Sequence, residues 1–416
     1  MISQVIYLIL LIIITIIFAI DIVPVFITWL SRINIGRYDN RKIWAKSVTT
    51  IGVKWVGKTP KIQVTDNTRL VIVDMLKGKY SKDTIQHWQE AALVLGLSEY
   101  IKHHDDQEII NQIRKFLNSK FDSIGNWRTN PVHVDASIIA YSLMKLEFID
   151  LDKYKNALDK TWEMIQEHIG EDGTVQYRKS MKSYRYVDTI GFICPFLVAY
   201  GTKYNKPECI ELAVKQIQEY ELYGMLQNHY IPSHAYKHDN KVPLGLYGWG
   251  RGLGWFAIGV VDAWDELSED HHYKLVLKDI VRKFAVAAMK LQQNNGSWNW
   301  TVTREECRPD SSATATLGWL MLKASTISEI SKECLDSTEK AVSYLMKVTR
   351  RNGAIDFSQG DTKDIGVYSV LFNTLPFTQG FCIRVSSLLL QYQGVEITYD
   401  SKNSILSEGK DSKVFA

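Results

Sequence analysis

The amino-acid sequence predicts an all-α fold: an (α/α)6 barrel of six helical hairpins, preceded by one N-terminal transmembrane helix. Three features lead there. Six apolar stretches rich in small residues recur at intervals of 47 to 68 residues, room for a helical hairpin and a loop each. Amphipathic, charged stretches alternate with them, their apolar residues recurring at helical spacing. Ahead of both lies an uncharged run dominated by Ile and Leu. A helix that is apolar all round belongs inside and a half-polar one outside, so the alternation describes two concentric rings. An open helical solenoid repeats in the same way. The irregular intervals and the long, aromatic, polar loops favour the closed ring, with a site at one rim.

Residues 2–20 carry no charged side chain, and nineteen such residues approach the roughly 20 that cross a bilayer core. Asp21 interrupts the run, and residues 22–30 continue it with Pro24 inside. No basic segment precedes it and no small-residue cleavage site follows, which favours an uncleaved anchor (1–30) over a signal peptide. Residues 1–4 hold no Lys or Arg, whereas Arg32, Arg37, Arg41, Lys42 and Lys46 follow the run. The positive-inside rule then keeps the globular domain in the cytoplasm, the extracytoplasmic arrangement being the alternative. Residues 31–80 read as a connector, 81–400 as the barrel and 401–416 as a polar tail.

Within the barrel the inner helices begin near Trp88 (WQEAALVLGLSEY), Asp135 (DASIIAYSLMKL), Asp188 (DTIGFICPFLVAY) and Gly252 (GLGWFAIGVVDAW). Two more begin near Ser312 (SATATLGWLML) and Gly380 (GFCIRVSSLLLQY). Outer helices are expected over 154–168, 208–220, 273–292 and 333–350. Turns at Gly125-Asn126-Trp127, Gly173-Thr174-Val175, Gly296-Ser297-Trp298 and Gly353-Ala354-Ile355 precede several inner helices.

Composition narrows the function. With Lys+Arg 49 against Asp+Glu 46 the net charge is +3, too balanced for a nucleic-acid partner. The five cysteines are scattered and odd in number, and no thiolate or imidazole cluster is spaced for a metal. No metal site is therefore expected, and a reducing compartment is favoured. The 12 Trp and 21 Tyr offer flat apolar faces of the kind that hold sugar rings, although core filling is their ordinary use.

If the inner helices point their N-termini to one rim, the residues at those starts converge there. They include His133-Val134-Asp135, Tyr186-Val187-Asp188, Trp249-Gly250-Arg251 and Arg308-Pro309-Asp310. Helix capping is the bland explanation for Asp135, Asp188 and Asp310. Carboxylates facing each other across a pocket also push their pKa values apart, which suits acid/base work on a glycosidic bond. The segment GWGRGLGW is the most specific short stretch. Arg251 and Trp255, four apart, share a helix face, and a guanidinium beside an indole suits a sugar ring bearing a carboxylate. An Arg stitching loops together over a core Trp is the plain alternative. No Lys-Ser/Thr follows these glycines, so they are not a phosphate loop. His234 lies just upstream in a polar, aromatic loop.

Together YVDTIGFICPFLVAYG, SHAY with GWGRGLGW, DSSATATLGWLML and LPFTQGFCIRVSSLL resemble the unsaturated glycuronyl hydrolases of glycoside hydrolase families 88 and 105. The unsaturated rhamnogalacturonyl hydrolase branch looks closest, and the resemblance covers about residues 85–395. It implies an oligosaccharide substrate ending in a Δ4,5-unsaturated uronic acid, removed by acid-catalysed hydration of the enol ether without a cofactor. By the same resemblance Asp188 matches the general acid/base and Asp135 the second pocket carboxylate. His234, Arg251 and Trp255 match residues that contact the uronic ring, and Trp249, His133 and Asp310 stand at the same rim.

Three features depart from the family: Leu253 where it commonly has Asn, a longer loop from His234 to Arg251, and the membrane segment. They leave two other readings open, a divergent membrane-tethered glycosidase or lyase and a non-catalytic carbohydrate-binding barrel.

Overall fold

The computed structural model describes residues 2–394; the expected polar tail and the last residues assigned to the barrel lie outside them. The helices, in chain order, are α1 (Ile2–Arg32), α2 (Arg41–Gly57), α3 (Val71–Leu76), α4 (Asp83–Ile101), α5 (Gln107–Lys120), α6 (Ser137–Met144) and α7 (Lys155–Gln166). They continue with α8 (Val187–Tyr204), α9 (Pro207–Tyr223), α10 (Gly250–Glu266), α11 (Lys274–Met289), α12 (Ser311–Ala324), α13 (Ser331–Lys347) and α14 (Pro376–Tyr392).

All six inner helices expected from the sequence are present as α4, α6, α8, α10, α12 and α14. Each packs on the next, and α14 packs on α4, so the ring is closed and is not a solenoid. Small residues make that closure tight. A Cβ on Gly380 of α14 would strike the Ala92 carbonyl of α4, and one on Gly96 would strike the Gly380 carbonyl. The bare backbones therefore meet where a side chain cannot fit.

The four expected outer helices are α7, α9, α11 and α13, and α5 adds a fifth. The sixth comes from the segment expected to be a connector. α2 packs on α14, α4 and α5, with Trp44, Ala45 and Val48 buried and the Trp44 indole donating to Thr349 Oγ1 at 2.8 Å. The sixth hairpin thus joins the two ends of the barrel chain. A repeated turn shows the equivalence: at Gly353 (φ 91) the amide donates to Arg350 O and the turn abuts Ser47 of α2. The turn at Gly296 abuts Lys340 of α13 in the same manner.

α1 stands outside both rings. It is long and apolar enough to cross a membrane, and no residue of it is buried. Its last residue, Arg32, holds Asp356 through Nε at 2.8 Å and Nη2 at 2.9 Å, and donates to Phe372 O at 2.9 Å.

Candidate active site

The N-terminal ends of three inner helices, α4, α8 and α10, open onto a pocket of about 310 Å³. α4 contributes Ile85 and Trp88, α8 Asp188 and Phe192, and α10 Arg251 and Trp255. Loops leading into inner helices add His133, Tyr186, His234 and Trp249, and the loop before α14 adds residues 361–364. Helix N-termini carry partial positive charge, so their convergence favours an anionic ligand.

Asp188 lies in the first turn of α8, directly after a short strand, Tyr184–Tyr186. That strand pairs antiparallel with Ala235–Lys237, Tyr186 opposite Ala235, and the Val187 amide donates to His234 O at 3.0 Å. This ladder draws together two distant parts of the chain and leaves His234 Nε2 3.7 Å from Asp188 Oδ2. The Asp188 residue is 9% exposed. Burial pushes its carboxyl up to about 7, against the pull of the Arg251 charge. Its Oδ2 makes no hydrogen bond among the described residues. Burial, helped by Arg251, pushes the His234 imidazole down to about 4. His234 is therefore neutral near pH 7, and the contact joins a neutral ring to a carboxyl poised between its two forms.

Arg251 is buried, and its charge is spent on the backbone. Nη1 donates to Gln359 O at 2.5 Å and Nη2 to Gly360 O at 2.6 Å. The guanidinium also lies over the rings of Trp88 and Trp249, and Trp249 Nε1 donates to Gln359 Oε1 at 2.9 Å. Arg251 and Trp249 thus fasten the segment that carries Asp361 into the pocket. Burial raises the Asp361 carboxyl to about 6. Trp255 is wedged among Trp88, Phe192 and Phe377, closing the pocket floor.

Two of the expected acids stand outside the pocket lining. Asp135, 1% exposed, forms an ion pair with Arg178, Oδ1 to Nη1 at 3.1 Å, with His87 Nδ1 3.4 Å from Oδ2; neither oxygen makes a hydrogen bond among the described residues. Its partner Arg178 lines the pocket. Asp310 caps α12 by accepting from Ser312 N at 2.9 Å and also receives Gln359 N at 3.0 Å. It braces the same segment that Arg251 holds. His133 lines the pocket, its imidazole lowered by burial and by Arg178. Leu253 is in the core and away from the lining.

Sequence reasoning missed Tyr177, Arg178, Lys82 and Asp361. All four precede an inner helix, whereas Asp188, Arg251 and Trp255 lie in its first turns, and none of the four stands in a motif. Among the described residues no group of three His, Cys, Asp or Glu is placed to hold a metal.

The Glycosyl Hydrolase Family 88 model matches residues 62–383, which takes in every residue of this pocket. The chain belongs to glycoside hydrolase family 88. This family 88 enzyme is 19% identical to the unsaturated rhamnogalacturonyl hydrolase YesR of Bacillus subtilis (strain 168) over 297 residues, 68% of this chain and 82% of that one. Its fold matches a possible GH105 member from Klebsiella pneumoniae with TM-score 0.67 at 18% identity, covering 74% of this chain and 82% of the other. It also matches the unsaturated glucuronyl hydrolase of Bacillus sp. GL1 with TM-score 0.63 at 15% identity, covering 84% and 96%. At these identities the structural likeness establishes the six-hairpin fold, and the family match establishes a glycoside hydrolase.

Proposed function

We propose that this family 88 enzyme removes a terminal Δ4,5-unsaturated uronic acid from oligosaccharides by hydrating its enol ether double bond. One observation carries the reading: Asp188, a buried carboxyl with a free oxygen, is raised to about 7 at a pocket edged by cations and aromatic rings. An acid that gives up a proton and takes one back within a turnover works best near the operating pH.

In this scheme Asp188 delivers its proton to C4, and water adds at C5 while the Asp188 carboxylate takes up a proton from it. The hemiketal so formed opens and releases the neighbouring sugar. Arg178, held by Asp135, and the helix N-termini attract the uronic carboxylate. His234, neutral, hydrogen-bonds the ring beside Asp188, and His133 faces it from the loop before α6. Trp249 and Trp255 offer apolar surface to the sugar, while Arg251 and Asp310 act by setting the 359–361 segment. Leu253 removes no group from the lining, so it does not favour a non-catalytic barrel.

The test follows the ultraviolet absorbance of the enol ether in unsaturated disaccharides made by pectin and glycosaminoglycan lyases. Loss with the wild type and not with Asp188→Asn supports the reading. A folded wild type that leaves every such substrate unchanged overturns it.

The same reading takes α1 as the membrane anchor and places the barrel on the cytoplasmic side, supported by the basic residues after the helix. Protease added to sealed right-side-out vesicles then spares the barrel, and digestion without opening the vesicles reverses the orientation.

A further inference from the structure

Four of the exposed apolar side chains outside α1 fall within seven residues on one hairpin beside it, whereas the others are spread along the chain. This hairpin, residues 67–79, contains α3 and presents Leu70, 58% exposed, Leu76, 81% exposed, and the exposed Val73 and Met75. A water-soluble surface does not ordinarily carry such a cluster on a single six-residue helix. Its exposed charges are Arg69, Lys77 and Lys79. Its carboxylate, Asp74, is occupied by Thr65 Oγ1 at 2.8 Å and Asn67 Nδ2 at 2.7 Å.

The charge inside α1 explains the hairpin's position. Asp21 accepts the Leu70 amide at 2.6 Å and the Val71 amide at 3.0 Å, so it fastens the start of α3 to α1. At 1.5 Å per residue, the stretch of α1 before Asp21 is about 28 Å long, close to the ~30 Å of a bilayer's hydrocarbon core. Asp21, and α3 with it, then falls at the edge of that core.

The foot of the hairpin adjoins the pocket lining. Val64 N donates to Tyr80 O at 2.9 Å, and Lys82, just beyond, lines the pocket. On the other side Asp66 accepts from Ser369 Oγ at 2.6 Å and pairs with Lys363, another lining residue. Val370, beside Ser369, is itself exposed.

We propose that the 67–79 hairpin is a second membrane contact, seated in the headgroup layer of the bilayer that α1 crosses. It presents an apolar face to the acyl boundary and cations to anionic headgroups. The pocket mouth is thereby held beside the membrane. This rests on α1 being an anchor.

The test uses the full-length chain in vesicles of phosphatidylethanolamine and phosphatidylglycerol carrying brominated lipid. Cys307 is replaced by Ser, the other cysteines being buried. An environment-sensitive fluorophore is then attached at Leu76→Cys or, as a control on the outer ring, at Leu275→Cys, both exposed positions. The protein is expected to float with the vesicles after alkaline carbonate, with the label at 76 blue-shifted and quenched several-fold more than that at 275. Flotation with equal quenching at the two sites overturns the hairpin contact and leaves the anchor standing. Failure to float overturns the anchor, and this proposal falls with it.

Discussion

Burial sets the working state of Asp188. A carboxyl in water gives up its proton near pH 4, whereas this one is raised to about 7 by desolvation. If the protonated form attacks the double bond, kcat falls as pH rises through about 7, and a profile flat to about pH 9 excludes Asp188 as the acid. Stability carries the same signature. The native state holds a proton that the unfolded chain releases, so stability drains away as pH climbs from about 4 to about 7. Asp188→Asn is therefore expected to lose about 10²–10⁴-fold in activity. Above pH ~7 it gains roughly 1–3 kcal/mol in urea unfolding, and that gain disappears at about pH 4. Asp135 is ion-paired with Arg178, a residue of the pocket lining. Asp135→Asn raises KM about tenfold with kcat within a few-fold if it positions Arg178 for the substrate carboxylate. A collapse of kcat at constant KM places Asp135 at the reacting centre instead. Asp188 and Arg251 are legible in the sequence because each stands at a helix start within a specific motif, and His234 because it lies in the aromatic SHAY segment just upstream. Arg178 and Asp361 have no such marker, and only folding of the loops brings them to the same pocket.

Elements are held at the far end of the barrel by a charge that no water reaches. Arg384 of α14 donates to Asp262 of α10 at 2.6 Å and lies 3.9 Å over the Trp319 ring of α12. The Trp319 indole donates to the other Asp262 oxygen at 2.8 Å. Removing one partner leaves the other buried and unpaired, so Asp262→Ala is expected to cost about 3–5 kcal/mol in denaturant unfolding. A loss below about 1 kcal/mol shows that the network is dispensable. Gly380→Ala tests the closure between α14 and α4. Its new methyl meets the Ala92 carbonyl, a backbone atom that cannot rotate aside, and overpacking of this kind costs roughly 1–3 kcal/mol. The inner helices are readable because a helix surrounded by helices is apolar on every face. α5 and α2 are less so. α2 buries Trp44, Ala45 and Val48 but mixes Lys, Ser and Thr among them, and its partners in the ring lie at the opposite end of the chain. Sequence proximity gives no sign of that pairing.

For the molecule as a whole, the placement of α2 decides where the folding unit begins. An (α/α)6 ring needs every inner helix covered, and α14 has α2 as its outer partner. The chain up to Arg32 contributes an apolar rod and the Arg32–Asp356 pair, whose arginine is partly exposed. Asp356 keeps Arg350 at 2.8 Å when Arg32 is gone, so its buried carboxylate is not stranded. A chain starting at residue 33 is expected to remain soluble and folded, with a cooperative thermal transition lowered by a few degrees, since about 1 kcal/mol shifts the midpoint by 2–4 °C at sizes above 150 residues. A chain starting at residue 58 is expected to aggregate or melt without cooperativity. It strips the cover from α14 and α4 and leaves Thr349 without the Trp44 indole. Circular dichroism melts of the two chains side by side check this. Equal transitions show that α2 is an appendage, and that the ring holds the pocket with α14 lacking an outer partner. The expected outcome shows that the barrel extends back to residue 41. In that case only a few residues separate the folding unit from the end of α1, and α1 and the pocket are mechanically one assembly.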